Sequence, residues 1–340
     1  MESHIVSNAV VAGLLAGLAG LVLLIRRSRM WSDALSEIWH RRRLAIGLIA
    51  FYVIVALLDS VAWVGGMEDG EDAVARHQAA SVIDRLFADS QERSYSAPLA
   101  DVEFYGGAPL RHPGSHLLGT DLIGRDVLYL SLKGARVALL IGGLTSLLAI
   151  PLALLFGVPA GYFGGRLDDV VFFVMSTLAS MPGLLLLIAL IMVLGKSTLA
   201  ICFALAVTGW VGFCRVSRGE TLKLRELEYV SAARALGISE SQILLRHILP
   251  NLMHLVIITF VLMFSGLVLS EAILSWLGIG VDGSWGQMID QARNELSRDP
   301  VVWWNVSAAG VALFGLILAV NFVGDALRDT LDPRTARETE

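Results

Sequence analysis

Charge is scarce in this sequence of 340 residues: charged side chains make up 17% of it, against about 25% in typical soluble domains. This scarcity argues against an ordinary cytosolic enzyme. Cysteine occurs twice, as Cys202 and Cys214, which excludes a disulfide-based scaffold. The net charge of -5 provides no overall attraction to nucleic acid. Hydrophobic residues are abundant, at 55% with a mean hydropathy of +0.67, and this excludes a disordered chain.

Several apolar stretches are long enough to cross a bilayer, because a hydrocarbon core of about 30 Å requires roughly 20 apolar residues in a helix. They cover residues 5–25, 44–64, 137–162, 170–194, 198–214, 255–278 and 303–323. The sequence therefore predicts an all-α membrane protein with seven spans. A signal peptide is the alternative for residues 5–25, although this stretch is longer than a typical signal-peptide core and no basic region precedes it.

Arginine and lysine in the loops predict the orientation, because cytoplasmic loops of membrane proteins are enriched in both. Six arginines lie between residues 26 and 43, and further basic residues lie in the long loop 215–254. Both loops are therefore expected in the cytoplasm, with the N-terminus outside and the C-terminus inside. The partly acidic segment 65–130 and the connection 280–302 are expected outside. Lys196, in a short external turn, and Arg298 are the two basic residues that fit this orientation poorly.

The loop 215–254 has the pattern of two helices joined by a sharp turn. Residues 226–236 favour a helix, and Gly237 is a suitable C-terminal stop because glycine accepts a left-handed conformation. Ser239 and Gln242 have the spacing of a capping box for a second helix, which Pro250 is expected to end or kink. A structured connection between spans is the simpler interpretation. Small residues that would allow a partner to approach closely are Ser231, Ala232 and Ala233.

Motifs along the chain resemble the inner-membrane permeases of binding-protein-dependent ABC importers, and most closely the C-type subunits of the peptide and nickel branch. The loop carries Ala-Ala-x-x-x-Gly followed by Leu-Pro, with Ser231 in place of the usual glutamate. The other blocks that carry the resemblance are Gly119–Asp126 with Gly134–Arg136, Gly161–Gly165 with Asp168, Glu271–Gly278 with Ser284–Gly286, and Asn321–Arg334.

The resemblance implies the fold of a type I (MetI-like) ABC-importer permease with about seven transmembrane helices. It covers roughly residues 112–334 and the helix 44–64. The implied organisation is an extra N-terminal helix and basic linker (1–43), the first permease helix (44–64), an external segment (65–130), a permease core (131–324) that includes the cytoplasmic loop 215–254, and a cytoplasmic tail (325–340). The extra helix and the long external segment depart from a minimal six-helix subunit.

The resemblance also implies the function. The chain is expected to form half of a pathway for di- or oligopeptides or related small solutes, nickel included, in the bacterial cytoplasmic membrane. Its expected partners are a homologous second permease, two ATPase subunits, an external substrate-binding protein and the lipid bilayer, without nucleic acid. ATP and Mg²⁺ are expected on the ATPases, so this chain is not an enzyme. The residues expected to couple it to the ATPases are Glu228, Tyr229, Ser231, Ala232, Ala233, Arg234, Gly237 and Pro250.

Residues 195–198, Gly-Lys-Ser-Thr, imitate the end of a nucleotide-binding loop, but Leu190 replaces the required glycine. The sequence therefore predicts no ATP site and no other cofactor site in this chain. His112 and His116 are a pair with Pro and Gly between them, which does not make a metal site. No catalytic residues are predicted.

Breaks and charges inside the spans mark candidate pathway residues. Glu271 lies within an apolar stretch, where an acidic residue is a functional candidate. An alternative hypothesis is that Glu271 carries protons in a secondary transporter. Asp59 is expected to be interfacial. Prolines at 151, 159 and 182 are expected to break helices in the membrane, and the pathway or gate candidates are Pro182, Glu271 and Trp276.

Overall fold

The computed structural model describes residues 42–63 and 80–331. The predicted span 5–25, residues 26–41 of the basic linker, residues 64–79 of the external segment and residues 332–340 lie outside the described residues. Within them, residues up to 139 together with those from 271 form one compact unit, and residues 140–270 form a second.

The regular secondary structure of the described chain consists of helices and one short pair of strands. The first are α1 (Arg43–Ser60), β1 (Ala62–Trp63), β2 (Ala80–Ser81), α2 (Val82–Leu86) and α3 (Val127–Phe163). They are followed by α4 (Gly165–Ser180), α5 (Gly183–Leu194), α6 (Thr198–Leu224), α7 (Glu228–Ala235) and α8 (Glu240–Ile243). A π-helical turn (Leu244–Ile248) leads into α9 (Leu249–Trp276), which α10 (Trp285–Glu295) and α11 (Trp304–Leu331) follow.

Five described helices are long and apolar enough to cross a membrane, and α4 with α5 makes a sixth candidate that is bent by 93°. These six coincide with the six stretches predicted between residues 44 and 323. Helix α6 continues to Leu224 rather than ending at residue 214. The charged residues that follow the apolar run therefore do not end the helix, and one of them, Arg218, donates two hydrogen bonds to the Asp168 carboxylate.

The prolines behave differently from one another. Pro151 and Pro159 lie inside the continuous helix α3, so the predicted breaks at these two positions are wrong. A proline removes one backbone donor, but α3 packs closely on α6 before and after Pro159: a Cβ added to Gly157 would lie 2.3 Å from Ser217 Oγ, and one added to Gly161 would lie 2.5 Å from Arg218 O. The break at Met181–Pro182 is confirmed, because α4 ends at Ser180 and α5 begins at Gly183.

In the first unit, the external segment is tied to the ends of two spanning helices. Ala62 pairs with Ser81 in the antiparallel β1–β2 ladder. Asp59 is buried: it accepts a hydrogen bond from Ser81 Oγ at 2.9 Å, and Lys133 Nζ lies 3.6 Å from its Oδ1. Lys133 also contacts Asp84 Oδ1 at 2.5 Å. The charged side chains thus join α1, α2 and α3.

Two buried tryptophans complete this unit. Trp285 Nε1 donates to Ser131 O at 2.8 Å, and Trp304 Nε1 donates to Thr120 O at 2.9 Å. Gly134 leaves the space for the first ring, because a Cβ there would lie 2.3 Å from Trp285 Cδ1. Glycine is therefore required at position 134 of this sequence block because the Trp285 ring packs against it.

Candidate functional site

The candidate site is the loop helix, α7 (Glu228–Ala235), in the second unit. It begins after Leu227, whose carbonyl accepts from the Val230 amide at 3.0 Å. Glu228 lies in its first turn and Arg234 in its last, and both charges are favourable for the helix dipole.

One face of the loop helix is anchored in the protein. Val230 and Ala233, three residues apart on the same face, are buried in an apolar cluster. The other buried members are Val158, Tyr162, Ile243, Ile248 and Leu252. Ala233 is therefore a core residue, and the expectation that its small side chain admits a partner is wrong. The reason is its register with Val230.

The opposite face of the loop helix is exposed. Leu236, just after the helix, is 81% exposed, and Tyr229 is 41% exposed. The other exposed members of the predicted coupling set are Glu228, Ser231, Ala232, Arg234, Gly237 and Pro250. The structure thus gathers acidic, basic, aromatic and small side chains on a two-turn helix whose inner face is fixed.

Gly237 ends the loop helix in a Schellman motif, as predicted from its type. Its φ is +77°. The Gly237 amide donates to Arg234 O at 3.0 Å, and the Ile238 amide donates to Ala233 O at 3.2 Å. These are the two bonds that define the motif, and Ile238 packs against the same apolar cluster.

The predicted capping box at the start of α8 is absent. Ser239 is the N-cap residue, but its side chain makes no cap hydrogen bond, and its Oγ lies 3.4 Å from Ser241 Oγ. The neighbouring Glu240 instead accepts a hydrogen bond from Tyr162 Oη. The start of α8 is thereby linked to α3 through the Glu240 side chain.

A polar cluster that sequence reasoning missed fixes the loop helix against α3. Arg234 Nη2 donates to Tyr162 Oη at 3.1 Å, and its guanidinium lies 5.5 Å from the centre of the Tyr162 ring. Arg234 Nε is 3.5 Å from Glu240 Oε1. Arg225 Nη1 donates to Gly161 O at 3.0 Å. Tyr162 stands in the block Gly161–Gly165, so its presence in a motif was the available signal.

Pro250 does not end the helix: it is the second residue of α9. The preceding π-helical turn is closed by a bond from the Leu249 amide to Leu244 O. This wider turn gives the proline ring room that a regular helix would deny, because the ring clashes with the carbonyl four residues before it. Asn251 Nδ2 then donates to Tyr229 Oη at 3.2 Å, which connects α9 to the exposed face of the loop helix.

The three pathway candidates lie in different surroundings. Glu271 belongs to the first unit and is buried, with Ser275 Oγ donating to its Oε1 at 2.5 Å and Ser284 Oγ lying 3.0 Å from Ser275 Oγ. Trp276 is half exposed, and Arg293 lies 5.9 Å from its ring centre. Pro182 is exposed at the α4–α5 break.

Of the histidine pair, His116 is part of a buried hydrogen-bond network. His116 Nδ1 lies 2.9 Å from Asp126 Oδ2, and His116 Nε2 lies 3.5 Å from Glu92 Oε1. Burial raises the pKa of Glu92, but the hydrogen bonds from the Arg111 and His112 amides and from the His116 ring outweigh this effect. The net pKa of Glu92 lies below its ordinary value. Over residues 42–63 and 80–331, no group of three His, Cys, Asp or Glu side chains is placed to hold a metal ion.

Residues 153–337 match the family described as "Binding-protein-dependent transport system inner membrane component". The oligopeptide transport system permease protein OppC of Bacillus subtilis (strain 168) is 36% identical over 225 residues, which cover 64% of this chain and 72% of that protein. The dipeptide transport system permease protein DppC of the same organism is 34% identical over 225 residues, 65% of this chain and 70% of that protein. A solved inward-facing structure of the MetNI methionine ABC transporter has a TM-score of 0.49 and 19% identity, covering 60% of this chain and 97% of the other.

Proposed function

Because the chain belongs to the family of binding-protein-dependent transport system inner membrane components, we propose that it forms half of the pathway of an ATP-driven importer of di- or oligopeptides or related small solutes. The membership confirms the resemblance and the type I permease fold expected from the sequence. The chain is a multi-pass inner-membrane transport component, and such a system includes a partner permease and an ATPase. The membership gives no support to a proton-coupled secondary transporter that uses Glu271.

Peptides are the proposed substrate class. The relatives named for oligopeptide and dipeptide transport are 36% and 34% identical to this chain. They do not support nickel, which the sequence resemblance also implied. A substrate-binding protein on the outer side delivers the peptide, and the second permease supplies the other half of the pathway.

The loop helix is the proposed contact with the ATPase, and the exposed face of α7 carries this proposal. A helix can transmit a push only if it does not rotate or slide on its support. Val230 and Ala233 fix the inner face, the Schellman motif at Gly237 fixes the end, and Arg234 is held by Tyr162. Movement of the ATPase would therefore reach α9 through α8 and the π-helical turn.

ATP and Mg²⁺ are proposed to bind to two separate ATPase subunits. Residues 195–198 of this chain serve another purpose: Ser197 Oγ accepts from the Ala200 amide at 3.1 Å and caps α6, and Gly195 has a φ of +92° at the end of α5. This turn between two apolar helices has no strand before it, which a phosphate-binding loop requires.

The proposed orientation places the N-terminus outside and the loop helix in the cytoplasm with the C-terminus. It is supported by the basic residues around Arg42 and Arg43 and by those that follow residue 214. The segment 80–126 and α10 would then face the outside, where the binding protein docks.

The test is purification of the tagged chain from its native membrane in mild detergent. Ala232→Glu adds a charge on the exposed face of the loop helix. We expect the variant to retain the second permease, to lose the ATPase subunits and to lose peptide uptake. Gln242→Glu is the control, because it adds the same charge at an exposed position on α8.

Two outcomes would contradict the proposal. If the unaltered chain is purified without any ATPase, the chain does not work in an ATP-driven importer. If Ala232→Glu retains the ATPase subunits as fully as Gln242→Glu does, the contact does not involve the exposed face of α7.

A further inference from the structure

Two buried oxygen atoms in the first unit have no donor. They are Oε2 of Glu295, the last residue of α10, and Oδ1 of Asn305, the second residue of α11; neither has a hydrogen-bond partner within the described chain. Glu295 is 2% exposed and Asn305 is 0% exposed. Buried polar atoms in native proteins nearly always have a partner, so this pair requires an explanation.

The other atoms of the same two groups are paired with each other. Asn305 Nδ2 donates to Glu295 Oε1 at 3.3 Å. Tyr95 Oη donates to the same Oε1 at 3.2 Å. An ionised carboxylate only accepts hydrogen bonds, whereas a protonated carboxyl also donates one. A single proton on Oε2 would therefore supply the donor that Asn305 Oδ1 lacks, and would remove the need for a donor to Oε2.

The charged and titratable groups around Glu295 come from each segment packed against it. Tyr95 and Asp121 face it from the external segment, Arg298 from the connection after α10, and Asn305 is the polar group on α11. Asp121 is already satisfied by the Arg125 guanidinium, with Nε at 2.9 Å. Arg298 lies over the Tyr95 ring, 5.2 Å from its centre.

These surroundings favour the neutral carboxyl. Burial raises the pKa of Glu295, the hydrogen bonds from Asn305 and Tyr95 lower it, the Asp121 charge raises it and the Arg298 charge lowers it; burial outweighs the rest, and the net pKa lies above the ordinary value. Burial is the first cause that raises the pKa of Tyr95, to about 12, and even an unperturbed tyrosine is protonated at neutral pH, so Tyr95 keeps its proton and remains the donor to Oε1.

We propose that Glu295 is a proton-binding site, in which the protonated carboxyl donates from Oε2 to Asn305 Oδ1 and receives Asn305 Nδ2 on Oε1. This acid–amide pair joins the end of α10 to the start of α11, and Tyr95 connects the external segment to the same carboxyl. Loss of the proton would leave a buried carboxylate whose Oε2 has no donor, next to Asn305 Oδ1, which also has none. The joint between these three segments therefore weakens as the pH rises on the side that Glu295 faces. The proposal does not rest on the transport function.

The test is infrared difference spectroscopy on the full chain in lipid nanodiscs. At about pH 6 an ordinary glutamate is ionised, so a protonated carboxyl band at this pH reports a raised pKa. We expect the band of the unaltered chain to include a component that disappears in Glu295→Gln. Other buried carboxyls, Glu271 among them, contribute equally to both samples and cancel. Glutamine should preserve the fold, because its amide can donate to Asn305 Oδ1.

Tyr95→Phe supplies a second variant that keeps the packing of the ring. It removes a hydrogen bond that favours the ionised carboxylate, so the Glu295 band should persist to a higher pH than in the unaltered chain. The proposal is overturned if no carboxyl band at about pH 6 is lost in Glu295→Gln. If that variant does not fold, an unchanged titration of the band in Tyr95→Phe overturns it instead.

Discussion

Gly237 is constrained by its own backbone and not by its neighbours. Its φ is +77°, yet a Cβ placed on it would meet nothing within 4 Å. Many glycines in helical membrane proteins are required because another helix lies against them, as at Gly157. Gly237 is required because the Schellman motif needs a left-handed residue at that place.

We predict that Gly237→Ala weakens the loop helix by about 1 kcal/mol, because alanine pays the full conformational cost of positive φ. Gly237→Asn should cost less, since asparagine tolerates this conformation. The measurement is the peptide-stimulated ATP hydrolysis of the assembled importer, which should fall in the order glycine, asparagine, alanine. Gly219→Ala is the matched control, because Gly219 also has open space around it but lies within α6. Equal losses in the 219 and 237 variants would contradict the argument.

The residues of the loop show which structural features could be predicted from the sequence. Gly237 could be predicted, because its role depends on a local conformation that its residue type allows. The burial of Ala233 could not be read from its small size, because it depends on register with Val230 against α3. Tyr162 was missed for a related reason: its hydrogen bonds with Arg234 and Glu240 join residues more than seventy positions apart in the chain.

At the scale of elements, the link between the external segment and the spanning helices depends on charge. Asp84 is fixed in α2 by a capping box with Ser81, and it accepts from Tyr129 Oη at 2.8 Å on α3. Burial raises the pKa of Asp84, but hydrogen bonds from Lys133, the Ser81 amide and Tyr129 outweigh it, and the resulting pKa is about 2.

We predict that acid loosens this link. The folded pKa of Asp84 lies below its ordinary value of 3.8, so the stability it contributes is present above 3.8 and is lost as the pH falls towards 2. The protection of residues 80–86 against hydrogen exchange, taken relative to the intrinsic exchange rate at each pH, should therefore fall over this interval. Asp84→Asn should have lower protection at neutral pH and should show no further fall over this interval. Unchanged protection of the unaltered chain across the interval would contradict the prediction.

The elements also show which sequence signals are reliable. The six spans in the described part were predictable, because length and apolar character are dictated by the bilayer. Their breaks were predictable at Pro182 and not at Pro151 or Pro159. Residue type gives the missing donor in each case, but the continuity of α3 depends on its packing against α6, which no local pattern contains. The capping box predicted at Ser239 is absent, and the hydrogen bond between Glu240 and Tyr162 on a distant helix was not predictable from local spacing.

At the scale of the whole molecule, the exposed break between α4 and α5 requires a partner or water. Residues 180–183 are exposed in the single chain, and non-helical backbone at membrane depth is tolerated only where protein covers it or where it lines a water-filled cavity. Lipid alone cannot satisfy the backbone groups that the 93° bend leaves outside a helix. A pathway shared with a second permease satisfies this condition.

We therefore predict that Met181→Cys in the assembled importer reacts with a water-soluble thiol reagent, and that peptide substrate slows the reaction. The native Cys202 and Cys214 are buried, so they should contribute little background. Phe314→Cys is the control, since Phe314 is also exposed but lies in the interior of the unbroken helix α11. If the thiol at 181 is as unreactive as the thiol at 314, water does not reach the break, and residues 180–183 are covered by protein instead of lining the pathway. Reaction at 181 that peptide does not slow would place the break in water but away from the route of the substrate.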